Sequence, residues 1–250
     1  MTAVALVVFL NHFFVVLDQE TYAAIDANAF LTREFAPFER RTTVRNDRSY
    51  TGIYFYGTNT YFEFFDAGAA TNFRKGTDGL AFTPEEPGAI QQLPGIEKPE
   101  LITRKIGDAQ VPWFWAADVK GIPEDSAIDS WVMEYHADFL AEWHPEKGHG
   151  ESGISRRAIL TRYKAVLAEV PAAPHFVDVR EITIAADPAT IERLTAVHAT
   201  GVVLHFVPAT ATKRGIVRVV LEVRDARKQE LRLGKSVLRF DGHGRAVWDF

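Results

Sequence analysis

Leu10-Asn11-His12-Phe13-Phe14-Val15-Val16-Leu17-Asp18 is a β-rich run with one histidine in its middle, ending on an aspartate that can cap a helix. Tyr61-Phe62-Glu63-Phe64-Phe65-Asp66 is a second such run, with an acid set among aromatic rings. A third, Trp131-Val132-Met133-Glu134-Tyr135-His136, repeats the pattern. Burying a carboxylate in such company costs on the order of several kcal/mol unless a cation or donor compensates it. Three insertions of this kind call for a shared partner, and a metal ion is the simplest.

The first strand at 8–17 is followed by a helical pattern from Gln19 to about Phe35, stopped by Pro37. Strands are predicted near 40–45, 51–57 and 60–66, the last two joined by Gly57-Thr58-Asn59, which is hairpin chemistry. The unit reads βαβββ. The order recurs with a strand at 78–84, a short helix from Glu85 to Leu93, and strands near 101–106, 111–117 and 128–136. Pro145 to Ser155 has linker composition, and Ile154 to Val170 reads as an amphipathic helix ended by Pro171. A strand at 176–185, a helix at 187–197 and strands at 201–207, 216–224 and 235–240 give βαβββ a third time, before a terminal strand at Arg245 to Phe250. The expected architecture is α+β. Repeated βαβββ units form a cupped, half-barrel mixed sheet, in a tandem domain over 1–144 with units at about 8–66 and 76–137. A linker and helix occupy 145–170, and a similar C-terminal unit occupies 171–250.

Composition narrows the function classes. The chain has 250 residues, enough for a sizeable core, and a formal charge of −5 that provides no basic field for a phosphate backbone. Nucleic acid is not an expected partner. The absence of cysteine excludes disulfides, thiolate metal sites and a cysteine nucleophile, and suits a reducing, cytoplasmic setting. The apolar start from Met1 to Leu10 lacks a preceding Lys or Arg and runs on through His12, so it reads as a strand and not a signal segment. No other run is apolar and long enough to span a bilayer. A Gly-rich phosphate loop, a nucleophile elbow and a His-Glu-x-x-His helix are all missing.

The three runs together resemble the vicinal oxygen chelate superfamily of glyoxalases, extradiol dioxygenases and bleomycin-resistance proteins, most of all its uncharacterised glyoxalase-like branch. The resemblance covers about residues 8–140. It implies an open cup in which the first and last strands of each unit supply ligands to one divalent ion, here iron, manganese, zinc or nickel. Carried over by position, it implies His12, Glu63 and Glu134 as metal ligands. The fourth ligand should fall near Thr77 to Gly79, where no histidine stands, leaving Asp78 or His136 as replacements. Glu134 is then the carboxylate expected to move a proton in a metal-dependent lyase or isomerase acting on a small oxygen-rich molecule. The bland reading of each residue stands beside this one: His12 as a hydrogen-bonded core residue, Glu134 as a partner of Arg104 or Arg48.

Tyr54, Tyr61, Trp113, Trp115 and Arg48 are the candidate substrate-binding residues, since organic ligands take mostly apolar pockets with few polar groups. Arg40 and Arg41 read as a solvated edge, and His144 and His149 as exposed linker residues. A metal-free protein that sequesters a small molecule in the same cup is the competing expectation. The tandem units favour a site within one chain, and a homodimer stays open.

Overall fold

In the computed structural model, which describes residues 6–44, 49–69, 77–142, 153–224 and 228–250, the chain is α+β with two sheets. The first unit comprises β1 (Leu6–Leu17), α1 (Gln19–Asp26), β2 (Phe38–Val44), β3 (Ser49–Tyr56) and β4 (Tyr61–Asp66). The second comprises β5 (Asp78–Thr83), a single 3-10 turn at Ala89–Gln92, β6 (Glu100–Ile106), β7 (Ala109–Asp118) and β8 (Ile128–Tyr135). Together they form one strongly curled half-barrel with strand order β2-β3-β4-β1-β5-β8-β7-β6. Each unit contributes the same internal order, and the two meet through their first strands, β1 and β5, which run antiparallel.

Local chemistry explains the element ends. Asp18 accepts from the Thr21 amide at 3.1 Å and starts α1, as its position after an apolar run predicts. The predicted helix to Phe35 breaks after Asp26, and Leu31–Phe35 form a separate π turn whose Leu31 and Phe35 side chains enter the core. The predicted helix at 85–93 shrinks to the 3-10 turn. Its preceding Gly88 adopts φ +79°, a conformation that L side chains rarely take.

Beyond the second unit come α2 (Ala137–Glu142), α3 (Arg156–Ala165), β9 (Phe176–Ala186), α4 (Pro188–Thr195), β10 (Val197–Thr200), β11 (Val203–Pro208), β12 (Gly215–Val223), β13 (Gln229–Leu233), β14 (Ser236–Phe240) and β15 (Arg245–Asp249). Six of these strands form the second sheet, ordered β11-β9-β12-β15-β14-β13. The seventh, β10, leaves it. This strand pairs in parallel with the first third of β1, Leu6 to Phe9 against Val197 to Thr200, so the C-terminal unit completes the first sheet.

The two sheets share one aromatic core. The Trp248 ring lies 5.1 Å from Phe64 and 5.9 Å from Phe62, while Phe35 stacks on Phe176 at 5.8 Å. Phe55, Phe62 and Phe64 therefore serve the face of the half-barrel that meets the second sheet. The alternating residues Tyr54, Tyr56 and Tyr61 serve the opposite, cupped face, covered in part by Ile159, Leu160 and Tyr163 of α3.

Asp178 of β9 fixes the junction. It accepts from the Asn59 and Thr60 amides at 2.7 and 2.9 Å and from both of their side chains, so the β3–β4 hairpin tip is clamped to the second sheet. Among the described residues no helix is long and apolar enough to cross a membrane.

Candidate functional site

A cavity of about 870 Å³ occupies the cup. At its floor, in the middle of the sheet, β1 and β4 place His12 and Glu63, both buried. The local cause is a bulge. Leu10 pairs with Phe82 but His12 pairs with Ala81, so Asn11 is an extra residue and the alternation of β1 changes phase there. Strict alternation would put His12 on the face of Leu10. Instead Leu10, Phe13 and Val15 enter the main core, while His12 and Phe14 line the cup. The kink also frees the Leu10 carbonyl, which accepts from Arg156 Nη1 at 3.1 Å.

The His12 ring is held on every side. It stacks on Tyr61 at 4.4 Å and meets the edge of Trp131 at 5.5 Å. Its Nδ1 is 2.8 Å from Asn11 Oδ1, so Nδ1 carries the hydrogen and Nε2 presents a lone pair. That nitrogen lies 3.6 Å from Glu63 Oε1, just beyond hydrogen-bonding distance. Burial, aided by the Arg41 charge, lowers the His12 pKa to about 3. Burial likewise raises Glu63 to about 8, against the opposing pull of Arg41 and Tyr61. At neutral pH the pair is thus an uncharged imidazole beside an uncharged carboxylic acid.

Around this pair stands a tyrosine-rich wall. Arg41 lies 4.2 Å over the Tyr54 ring and donates to Glu39 at 3.1 Å, while the Tyr56 hydroxyl donates to the same carboxylate at 2.6 Å. Tyr135 and Tyr163 hydroxyls meet at 3.2 Å. Burial pushes the Tyr54, Tyr56, Tyr61 and Tyr135 hydroxyls well above their ordinary range, so these four stay protonated. The Arg41–Glu39 pair is internally neutral, and sequence reading, which assigned Arg41 to a solvated edge, missed it. Its signal was available: strand alternation puts Glu39, Arg41 and Thr43 on one face of β2. The far end of the cavity is acidic, where Asp118 is raised by burial and by Asp129, Glu97 and Glu100.

The other expected ligands go elsewhere. Glu134 belongs to the face of β8 opposite Trp131, Met133 and Tyr135, which line the cup. Its two oxygens accept from the Gly88 and Ile90 amides at 2.7 and 2.9 Å, so it caps the 3-10 turn and is a structural acid, not a ligand or a proton carrier in the cup. Asp78 is also turned away from the cup. It accepts from the Val16 and Ile216 amides at 2.9 and 2.7 Å, tying β5 to β1 and β12. His136 accepts from the Asp138 amide at 3.2 Å at the start of α2.

Gly79 is the β5 residue that faces the cup beside Asp78, and the Phe14 ring covers it: a Cβ there would sit 2.1 Å from Phe14 Cε1. On β8 the nearest acid facing the cup is Asp129, in line with Glu63 through Phe14 and Gly79. That is three strand spacings, roughly 14 Å along the sheet. Among the described residues no group of three or more His, Asp or Glu side chains is placed to hold a metal ion. A divalent ion at an open site needs three protein ligands, and His12 with Glu63 supply two. The described residues do not fit the expected centre.

Of the expected substrate-binding residues, Tyr61 and Trp113 line the cavity. Trp113 gets there through a second bulge, where Ile102 pairs with Phe114 and Thr103 with Pro112. Tyr54 lies behind Arg41, and Trp115 packs against the main core on the other face of β7. Arg48, His144 and His149 lie outside the described residues.

Fold and site together define a tandem βαβββ cup with one His–Glu pair on its floor. The chain belongs to a family of unknown function, DUF5829, whose model matches residues 10–206 and so takes in both units and the whole pair. No curated protein and no solved structure matches it.

Proposed function

We propose that this chain is a small-molecule-binding protein that uses a glyoxalase-like cup without a metal. One observation carries the reading. Of the four buried acids among the described residues, Glu134, Asp78 and Asp178 each accept from two backbone amides, whereas Glu63 receives no backbone amide among the described residues and borders the cavity with His12. An acid kept in such a place, uncharged and beside an oriented imidazole, is matched to a ligand and not to the fold. Phe14, Tyr61, Phe65 and Trp131 supply flat apolar walls, so the ligand is a planar organic molecule.

The paired units joined through β1 and β5 support kinship with the vicinal oxygen chelate superfamily, and the incomplete ligand set favours its sequestering members over its metalloenzymes. His12 and Glu63 come from one unit, which supports a site within a single chain.

The test is a pair of titrations on the purified protein. Trp113 and Trp131 border the cavity, so a planar aromatic ligand is expected to change tryptophan fluorescence, and Trp131→Leu is expected to remove most of that change. Calorimetric titration with Mn, Fe, Zn and Ni ions is expected to give no stoichiometric binding. One equivalent of metal bound through His12 and Glu63, abolished by His12→Gln or Glu63→Gln, would overturn the reading.

A further inference from the structure

The class of ligand follows from what the floor of the cup presents. His12 offers one acceptor, Nε2, because Asn11 holds Nδ1 at 2.8 Å. Glu63 offers an O–H donor beside it. The two atoms, Nε2 and Oε1, are 3.6 Å apart and do not bond to each other, which leaves room for a third party between them even with Tyr61 drawn to Glu63. Rings set the plane: Tyr61 lies nearly parallel to His12, 22° apart, and Trp131 and Phe14 stand 5.9 Å from one another nearby.

We propose that the cup recognises a planar ring carrying a lactam edge, an N–H donor next to a C=O acceptor, with the N–H donating to His12 Nε2 and the carbonyl accepting from the Glu63 carboxyl. This rests on the metal-free binding reading above and narrows it. The geometry closes. Standard amide bond lengths put a lactam nitrogen and oxygen about 2.2 Å apart. Two hydrogen bonds of about 2.9 Å reaching atoms 3.6 Å apart each splay by roughly 15°, well within the tolerance of a good bond. A carboxylate offers no donor to Nε2. An N-alkylated lactam offers none either, and leaves the buried acceptor unpaired.

The probes are 2-quinolone, N-methyl-2-quinolone and naphthalene, titrated into the full chain at pH 6.5 with tryptophan fluorescence and calorimetry as readouts. 2-Quinolone is expected to bind at least tenfold more tightly than its N-methyl derivative, with naphthalene weaker than 2-quinolone. In His12→Phe the two quinolones are expected to bind alike, and in Glu63→Gln, whose amide still offers a donor, the preference is expected to survive. Equal binding of the two quinolones to the wild-type protein overturns the lactam assignment and leaves the aromatic cup standing. Absence of binding by all three at millimolar concentration overturns both. The wild-type comparison needs no variant, so a His12 variant that fails to fold does not spare the proposal.

Discussion

Replacing Glu63 with glutamine keeps the shape of the side chain and removes its titration, and the consequence for stability depends on pH in a defined way. In the folded protein Glu63 holds its proton up to about pH 8, against an ordinary 4.5. Below pH 4.5 both folded and unfolded chains carry the proton and the residue contributes nothing to the pH dependence. Between 4.5 and 8 the unfolded chain releases its proton while the folded chain keeps it, so stability falls as pH rises. Above 8 both are ionised and the full penalty is present. At about 1.4 kcal/mol per unit, the penalty is about 3 kcal/mol at pH 7 and about 5 kcal/mol above pH 8.

Urea unfolding of wild type and Glu63→Gln at several pH values measures the difference directly, since titrations elsewhere in the chain cancel between the two proteins. The expected outcome is near-equal stability at pH 4 and a growing advantage for the variant up to pH 8. A difference that does not change with pH, or a variant less stable than wild type at pH 7, would mean that the carboxylate is ionised in the fold. Its neighbours would then have to hold a charge, and the uncharged pair would be wrong.

Gly79→Ala drives a Cβ to 2.1 Å from the Phe14 ring and is expected to cost about 1–3 kcal/mol of stability, read as a lowered unfolding midpoint; an unchanged midpoint refutes the close approach. Asp178→Ala strips four donors of their acceptor and should cost about 2–4 kcal/mol in urea unfolding, with hydrogen exchange speeding up at the Asn59 and Thr60 amides; unaltered exchange there would contradict the clamp. Glu134→Gln leaves one of two buried amides facing an NH₂ group and should lower stability by about 1–3 kcal/mol while leaving tryptophan-detected ligand binding intact; loss of binding without loss of stability would return Glu134 to the site. Asn11→Ala frees Nδ1, so nitrogen NMR of His12 should pass from a single Nδ1–H tautomer to a mixture, and an unchanged pattern would show that something else sets the ring.

Much of the fold is legible in the sequence because a β-rich aromatic run at Tyr61 to Asp66 directly follows turn chemistry at Gly57 to Asn59. The faces are less legible. A one-residue bulge at Asn11 has no signature among Leu, Asn and His, yet it decides which side of β1 His12 occupies. Glu134 sits between Met133 and Tyr135, and with both faces of β8 buried, an apolar neighbourhood does not say which face meets the cup. Trp115 fails for the same reason. The strand β10 is four residues long and pairs with a segment nearly two hundred positions away, so no local pattern could announce it. Glu63 and His12 were readable because each departs from its surroundings, a contrast that stays visible without coordinates.

The late arrival of β10 has a consequence for how the molecule is made. Every residue that lines the cup floor has been synthesised once β8 is complete, but Leu6 to Phe9 then still lack their parallel partner on one side. The rings of Phe55, Phe62 and Phe64 also still lack the tryptophan and phenylalanines of the second sheet. A nascent or truncated chain ending near residue 144 therefore displays an open strand edge beside an uncovered aromatic surface, the combination most prone to self-association. In the full chain β10 pairs with that edge and the second sheet covers those rings.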